Sequence, residues 1–388
     1  MKNIFLFLVF SISALQPTFG ETYQFWTYSR MSDGKAAVVG YSGPGGVVAI
    51  PSEIDGIPIC GVLGSSRARS IFSSSASKVT NVFIPDSVEW IGEDAFRDCL
   101  ELSSVRVPIS VIRIGKDAFH GCRNLSSIIL PSGLTEIESG AFTTCTRLSN
   151  ISFPSSVKSI GVNAFSSCTS LTTVSIPNSV TNIESSTFRF CTKLINVSIG
   201  SGLSSIEGSL FEGCRSLKSV SIPNSVTSIQ AEAFKNCAKL MAVTIPESVT
   251  SIEVGAFEGC STLLNLNLPS HLTAIKYKAF SNCTNLSNIC LSEDLEEIHT
   301  WAFKDCSSLT SITIPKRVSK ISYEAFINCS QLKSVTFLGD APKSTWGGGP
   351  PKEDDDIFKN TTNVIIYYRP GAKGWGPSFS GCPTKESQ

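Results

Sequence analysis

The chain has 388 residues, enough for two or three ordinary domains or for one extended array. Its 32 Lys and Arg residues balance 32 Asp and Glu residues, so there is no basic field that would attract nucleic acid or an anionic membrane. Apolar residues make up 41% of the chain, which excludes disorder, whereas charged residues make up only 16%. The polar surface must therefore be built largely from Ser, Thr and Asn.

The N-terminal segment is typical of an export signal. Lys2 is followed by an apolar run from Ile4 to Leu15 and then by small and polar residues up to Gly20. An uncleaved membrane anchor is the alternative, but the apolar run is shorter than the roughly 20 residues that span a bilayer. We therefore expect residues 1–20 to be a signal peptide. The mature chain should be secreted, periplasmic or at the cell surface, without inserting into a membrane.

A period of 23 residues organises most of the remaining chain, because each unit carries a Phe and, three residues later, a Cys. The Phe residues are Phe96, Phe119, Phe142, Phe165, Phe188, Phe211, Phe234, Phe257, Phe280, Phe303 and Phe326. The Cys residues are Cys99, Cys122, Cys145, Cys168, Cys191, Cys214, Cys237, Cys260, Cys283, Cys306 and Cys329. A repeat this regular predicts a solenoid in which each unit is one turn and buries its apolar side against its neighbours.

One unit shows how a turn is expected to fold. Val220 and Ile222 alternate with serines in a Leu-x-x-Val-x-Ile stretch, which predicts a short strand with these two residues pointing inward. Pro223 has no N–H to donate, so it should end the strand. A second extended piece, Val226–Ile229, leads to Phe234, whose ring should fill the core. No stretch shows the periodicity of a helix of roughly 10–12 residues, so little α-helix is expected.

The unit resembles the leucine-rich repeat of the BspA-like class, known from bacterial surface proteins and from some protozoan ones. The shared signature is Ala-Phe-x-x-Cys with Ile-Pro before the second half of the unit, and it extends over residues 79–338. The resemblance implies a right-handed repeat solenoid with a parallel β-sheet on one face and short extended pieces and turns on the other. It also implies attachment or protein binding, and it carries no catalytic residue over to this chain.

The flanks of the array depart from the repeat. Trp26–Ile57 and Asn363–Trp375 keep strand-forming residues, and we predict that they are caps that close the two ends of the core. Arg67–Ser77 replaces the expected first Ala-Phe motif, and Lys343–Asp356 is an acidic insert rich in Gly and Pro. The expected domains are a signal peptide at 1–20, an N-terminal cap with a degenerate first unit at 21–78, the solenoid at 79–338, and a degenerate last unit with insert and cap at 339–388.

The repeat cysteines should form a column with neighbours about 4.8 Å apart. That distance permits disulfides between adjacent turns, but side chains in a parallel ladder point the same way, and a bridge would pull one turn out of register. We expect reduced, buried thiols that act as small apolar packing groups. Cys60 and Cys382 lie near opposite ends and cannot bridge. Cys290 falls at an outward strand position, where it is either a tolerated surface substitution or a reactive thiol.

The sequence gives little support for catalysis or for a metal site. His120, His271 and His299 occupy three different positions of the repeat, so neither a His-Asp-Ser triad nor a histidine metal site is expected, and no cofactor is implied. Glu353–Asp356 lacks the spacing of a calcium loop and is interpreted as a solvated charge run. Asn-x-Ser/Thr sequences, such as the one at Asn196, follow from the repeat and do not establish glycosylation.

The outward positions of the predicted strands are the candidate functional surface. Two columns run along the array; one begins with Arg106 and Ile129, and most later members are Ser, Thr or Asn. Such a face can hydrogen-bond to a protein backbone or to sugars, yet it lacks the clustered Tyr, Trp and Arg of tight interfaces, and it could equally serve only to keep the rod soluble. The candidate partner-binding residues are Ser152, Thr173, Ser175, Asn196, Ser198, Ser219, Ser221, Thr244, Asn265, Asn267, Asn288 and Thr313.

The favoured function is a secreted or cell-surface protein, monomeric in solution, that binds an extracellular protein or glycan through this face. The alternative is a structural role, in which rods associate side by side or end to end in an envelope or matrix. An enzyme is not expected, because no catalytic site converges.

Overall fold

The structure, a computed structural model, describes residues 21–64, 70–72, 78–345 and 356–387. The predicted signal peptide, most of Arg67–Ser77 and most of the insert Lys343–Asp356 lie outside these residues. The described chain winds into a solenoid whose successive turns stack on one another, and no α-helix occurs in these ranges.

Each turn contributes its first strand to a set of parallel pairings that we call the front ladder. Ser175 lies opposite Ser198, one repeat further along the chain. Inward residues such as Val220 and Ile222 are buried, as predicted. The front strands are Gly46–Ala49, Val79–Phe83, Ser104–Arg106, Ser127–Ile129, Thr173–Ile176, Asn196–Ile199, Ser219–Ser221, Ala242–Thr244, Asn265–Asn267, Asn288–Cys290, Ser311–Ile314, Ser334–Phe337, Ile365–Tyr368 and Cys382–Glu386.

The second extended piece of each turn pairs in the same way, and we call this set the back ladder. Most of its strands have two residues and end on a buried Ile, as in Ser228–Ile229. The sequence predicts extended pieces here, but not that they pair into sheets of their own. The back strands are Ile57–Val62, Trp90–Ile91, Arg113–Ile114, Glu136–Ile137, Ser159–Ile160, Asn182–Ile183, Ser205–Ile206, Ser228–Ile229, Ser251–Ile252, Ala274–Ile275, Glu297–Ile298, Lys320–Ser322 and Lys343–Thr345.

The core contains a continuous stack of Phe rings. From Phe96 to Phe326, neighbouring ring centroids lie 5.0 to 5.9 Å apart with interplanar angles of 3° to 18°, an offset arrangement that suits the aromatic quadrupole. All of these rings and all eleven repeat cysteines are buried, as predicted. Phe72 and Phe358 extend the stack at its two ends. Within Arg67–Ser77, Phe72 thus supplies the ring of the first turn, and Ile71 stands where the motif has Ala.

The turn that carries each Phe depends on two residues with left-handed backbone. Glu232 and Asn236 flank Phe234 with φ angles of 59° and 58°. Gly, Asn and Asp adopt this conformation most readily. That preference explains why these residue types recur just before the repeat Cys, as at Asp98 and Gly121.

The repeat cysteines donate hydrogen bonds as well as filling space. The S–H of Cys214 donates to the carbonyl oxygen of Phe188 in the preceding turn, with sulfur and oxygen 3.2 Å apart, and the same carbonyl accepts the N–H of Cys191. Ten successive cysteines, from Cys122 to Cys329, make this bond at 3.0 to 3.3 Å. Each bond satisfies the second lone pair of a buried carbonyl. The expectation of purely apolar packing groups was therefore incomplete.

Antiparallel strands cover the N-terminal end of the array. Trp26–Arg30 pairs on one side with Glu21–Tyr23 and on the other with Ala36–Tyr41. Ala36–Tyr41 then pairs in parallel with Ile57–Val62, the first strand of the back ladder, on which Glu53–Ile54 folds antiparallel. The rings of Trp26 and Tyr41 lie 4.5 Å apart, and Tyr41 also contacts Phe72 at the first turn.

The C-terminal end is covered by the last front strand and a cluster of aromatic rings. Cys382–Glu386 pairs in parallel with Ile365–Tyr368, and Ser378–Phe379 folds antiparallel onto it. The ring of Trp375 lies 4.9 Å from that of Phe337 in the last regular turn. In the following, degenerate turn Thr361 stands in the Cys position, and its Oγ1 donates to the carbonyl of Phe326 at 2.8 Å.

Candidate functional site

The strand-lined face is the surface that carries the outward side chains of the front strands. All twelve candidate residues have exposed side chains, and eleven lie in front strands. Their register follows the repeat: Thr173 lies opposite Asn196, and Ser221 opposite Thr244. The structure therefore brings these side chains into rows, in which neighbours come from consecutive turns about 4.8 Å apart.

The front ladder is interrupted, which corrects the prediction of a parallel strand in every unit. Ser152 is the exception among the candidates: residues 151–153 form no strand, and one isolated bridge joins Asn150 to Thr173. This unit carries Phe153 at an inward position where most units have a smaller aliphatic residue, and its ring packs edge-on against Phe165 at 5.4 Å. Pairing also stops after Ala242–Thr244 and after Asn288–Cys290.

Many Ser and Thr hydroxyls outside the candidate set are used by the fold itself. Thr250 Oγ1 donates to Thr227 O at 3.3 Å, and Thr227 Oγ1 donates to Ser204 O at 3.2 Å, so each hydroxyl ties one turn to the preceding one. Ser287 makes the same bond to Leu264 O. In the described part of the chain, by contrast, no side-chain hydrogen bond engages any of the twelve candidates. Their hydroxyl and amide groups are available to a partner.

The strand-lined face deepens towards its C-terminal end. An open depression of about 630 Å³ is lined by Asn288, Cys290 and Thr313. Asp294 and Arg317 also line it and form an ion pair at 2.9 Å. Two of the predicted binding residues, Asn288 and Thr313, thus share a concavity with the outward-facing thiol of Cys290.

The constant repeat length, the strand register and the buried Phe and Cys columns show that the chain is an array of equivalent units. A family model described as "BspA type Leucine rich repeat region" matches in six copies, over residues 67–191, 112–241 and 227–343. The chain belongs to the BspA-type leucine-rich repeat family. No curated protein sequence matches it significantly.

Two solved bacterial structures share the fold of this BspA-type protein. A leucine-rich repeat protein from Bacteroides ovatus is 23% identical with a TM-score of 0.58, and the match covers 95% of this chain and 100% of that one. A leucine-rich cell surface protein from Faecalibacterium prausnitzii is 24% identical with a TM-score of 0.54, covering 92% and 96%. At these identities the likeness shows the fold alone. In the described ranges of the BspA-type chain, no helix has the length and apolarity needed to cross a membrane.

The cysteines of this BspA-type protein are all free thiols, and Cys290 is the exposed one among the fourteen. Free thiols agree with the argument that parallel side chains in a ladder do not bridge. Burial raises the pKa of Cys99 and Cys191 to about 12. At neutral pH the column therefore holds essentially no thiolate, the form that acts as nucleophile or metal ligand.

The histidines lie beside single carboxylates. Nδ1 of His120 is 3.4 Å from Asp117, and Nδ1 of His271 is 3.2 Å from Asp294. Nε2 of His299 is 3.4 Å from Glu297. Among the residues that the structure describes, no group of three or more His, Cys, Asp or Glu side chains is placed to hold a metal ion.

An aromatic cluster on the side of the Phe turns was not predicted. Trp301 occupies the left-handed position two residues before Phe303, with φ of 58°, where other units have Asp, Asn, Gly, Ser, Glu or Lys. Its indole N–H donates to Glu324 at 2.7 Å, and its ring lies 5.4 Å from that of Tyr277. The ammonium nitrogens of Lys278 and Lys304 lie 5.2 and 4.8 Å from its ring centre. An aromatic residue in a column of glycine, polar and charged residues was the signal that could have revealed this cluster.

Glu324 links the aromatic cluster to the last turn. Its carboxylate also accepts a hydrogen bond from Lys359 at 2.7 Å. Burial raises the pKa of Glu324, but hydrogen bonds from Lys359 and Trp301 outweigh it and lower the pKa below its usual value. The polar groups of the cluster are thus paired with one another, which indicates that it joins consecutive turns.

Proposed function

We propose that this BspA-type protein is exported and binds an extracellular protein or glycan through its strand-lined face, in an attachment role. The observation that carries the proposal is the contrast between hydroxyls that tie turns together, such as Thr227 and Thr250, and the twelve candidate residues, whose side-chain polar groups make no hydrogen bond within the described chain. The fold does not use these groups, so they are free to bind a partner.

The chemistry of the strand-lined face supports polar recognition. Rows of Ser, Thr and Asn present both donors and acceptors, which suit the alternating N–H and C=O groups of a peptide and the hydroxyls of a sugar. The chain has no net charge, so long-range steering contributes little, and specificity would depend on direct hydrogen bonds and apolar contacts. The protein of known structure from Faecalibacterium prausnitzii, which shares the fold, is described as a cell surface protein, and this agrees with an exposed role.

The test adds bulk and charge to the face without touching the core. Ser198→Arg combined with Ser221→Arg places two arginines in consecutive turns of the row. The matched control, Thr181→Arg with Ser204→Arg, places two arginines at the same spacing beside the back ladder, where both side chains are exposed. The probe is an array of immobilised extracellular glycoproteins and glycans.

We expect ligands of the native protein to bind the face variant at least about tenfold more weakly, which corresponds to a loss of about 1.4 kcal/mol or more in binding free energy. They should bind the control within about twofold, and both variants should keep the native melting temperature. Equal binding of both variants, or loss only in the control, contradicts the proposal. Export is tested separately by mapping the N-terminus of the protein recovered outside the cell, which should lack residues 1–20.

A further inference from the structure

The strand-lined face has two chemically different zones. In the first front sheet, Phe83 lies opposite Arg106, and Arg106 lies opposite Ile129, so the three side chains form one outward row. Phe83 is 55% exposed and Ile129 is 82% exposed. Val47, in the strand next to Val79–Phe83, and Ile109, three residues after Arg106, are exposed as well. We call these five residues the first-sheet patch.

The fold does not require large apolar side chains at these positions. The same position of the repeat holds serine in four successive later units, at Ser152, Ser175, Ser198 and Ser221. Strand formation alone would be served by a Thr, which is β-branched and polar. Single exposed apolar residues are ordinary on protein surfaces, whereas a contiguous set marks an interaction site. The patch also coincides with the first sheet, because pairing stops after Ser127–Ile129.

Arg106 gives the patch the composition of a protein-binding hot spot. Its side chain is 72% exposed and lies 3.8 Å from Asp86, which is also largely exposed, so this pair contributes little. In the row Arg106 stands between Phe83 and Ile129, and its exposed guanidinium can exchange the weak contact with Asp86 for two parallel hydrogen bonds to a partner's carboxylate. Aromatic residues and arginine are enriched at energetic centres of interfaces. The sequence-based description of the row began at Arg106 and did not include Phe83.

We infer that the first-sheet patch is the anchor for the partner of the strand-lined face, and that the partner is a protein that presents an apolar side chain flanked by a carboxylate. The inference rests on the proposed function, since it locates the energetic centre of that same face. A protein is favoured over a glycan because three of the four apolar members, Ile129, Ile109 and Val47, are branched aliphatic residues that match apolar protein groups, whereas Phe83 alone offers a flat ring on which a sugar could stack. The carboxylate is the charge complement of Arg106.

The patch is large enough for the centre of an interface but too small for a whole interface. Four strands at about 4.8 Å span only about 15 Å, whereas a stable interface buries about 800 Å² on each partner. The adjoining rows of Ser, Thr and Asn would then form the polar rim that surrounds the apolar centre. The two zones of the strand-lined face thus take complementary roles in one contact.

The experiment uses a random phage-displayed peptide library as the probe, selected against the full mature chain. Enriched peptides are synthesised, and their dissociation constants are measured on five proteins: the native chain, Phe83→Ser with Ile129→Ser, Arg106→Gln, Met241→Ser with Leu264→Ser, and Ser198→Arg with Ser221→Arg. Met241 and Leu264 are a matched control, because both are about half exposed and lie one repeat apart outside the patch. Melting temperatures confirm that each variant is folded.

We expect the enriched peptides to contain an apolar residue next to Asp or Glu. They should bind the Phe83/Ile129 variant at least about tenfold more weakly, bind the Met241/Leu264 control within about twofold, and weaken on Arg106→Gln in a salt-dependent way. Equal affinity for the Phe83/Ile129 variant, or no enriched peptide, overturns it. If the peptides lose affinity only for the Ser198/Ser221 variant, the inference is wrong and the proposed function stands. If their affinity is the same for all variants, the inference and the proposed function are both contradicted. A native dimer that Phe83→Ser with Ile129→Ser converts to a monomer shows that a second copy occupies the patch, which also overturns it.

Discussion

The column of buried thiols predicts a steep loss of stability in alkali. All eleven repeat cysteines have no exposed surface, and burial raises the pKa of each above its usual value of 9.0. In the unfolded chain the thiols are in water and ionise near their usual pKa. Above pH 9 the unfolded state has therefore lost protons that the folded state keeps. Stability is complete below that pH and falls as the pH rises towards the folded pKa.

The magnitude follows from the number of thiols. Each one destabilises the fold by about 1.4 kcal/mol at pH 10 relative to neutral pH, because one pH unit corresponds to about 1.4 kcal/mol of proton linkage. A cooperative block that contains all eleven repeat cysteines would lose about 15 kcal/mol, which equals or exceeds the whole stability of an ordinary domain. If the array unfolds in smaller blocks, the loss of stability of each block is proportional to the number of thiols that it contains.

The assay is urea denaturation between pH 8 and about pH 10.5 in the presence of a reductant, followed by circular dichroism. The control variant carries Cys168→Thr, Cys214→Thr and Cys260→Thr, since the chain itself uses Thr361 to donate to the same class of carbonyl. Tyr and Lys ionise equally in both proteins. The variant should therefore lose about 4 kcal/mol less than the native chain at pH 10, whatever its stability at neutral pH. An identical pH dependence in both proteins would refute the reasoning.

Three further predictions concern single features of the rod. Phe211→Ala should destabilise the array by about 3–5 kcal/mol in denaturant titration, because the buried ring lies 5.9 and 5.6 Å from its neighbours, whereas Phe190→Ala, at an exposed ring, should stay below about 1 kcal/mol. A thiol reagent should modify one cysteine rapidly in the native protein and none in Cys290→Ser; several fast thiols would mean that the column is open. Deletion from Asn363 onward should expose the last turn and cause aggregation in light scattering; a truncated monomer with an unchanged melting temperature would show that this segment is not a cap.

Strict periodicity made most of the fold predictable. When the same residue recurs at the same position of every unit, the units must stack in register, and the inward Phe and Cys must form columns. The structure confirms this for every ring from Phe96 to Phe326. The outward row was predictable for the same reason, as the pairing of Ser175 with Ser198 shows.

The features that were missed depend on spacing or on backbone direction. Phe72 was overlooked because Ile71 replaces the usual Ala and the ring lies 24 residues before Phe96, one more than the repeat. The back ladder was missed because strands such as Ser228–Ile229 are too short to show an alternating pattern. The thiol bonds depend on where each Phe carbonyl points, which the order of side chains does not specify.

The location of the candidate face was predicted from the sequence, but the first-sheet patch within it was not. Counting back one repeat from Arg106 gives Phe83, so the same periodicity that located the serine row could have located the aromatic residue. The prediction treated the row as uniform because most of its members are Ser, Thr or Asn. A departure from the row's composition was the informative signal.

Packing within the repeat limits which residue positions can vary to give specificity for a partner. Inward Phe and Cys side chains are fixed by stacking and by the thiol ladder, left-handed positions favour Gly, Asn and Asp, and hydroxyls such as that of Thr227 tie turns together. The twelve candidate positions of the strand-lined face make no such contacts, unlike Asn81, whose Nδ2 donates to Ser104 Oγ at 2.8 Å, so substitutions at the candidate positions leave the stack intact. Specificity can therefore be encoded in the order of residues along the row. The place where that order departs most from serine, from Phe83 through Arg106 to Ile129, is where recognition is expected to be strongest.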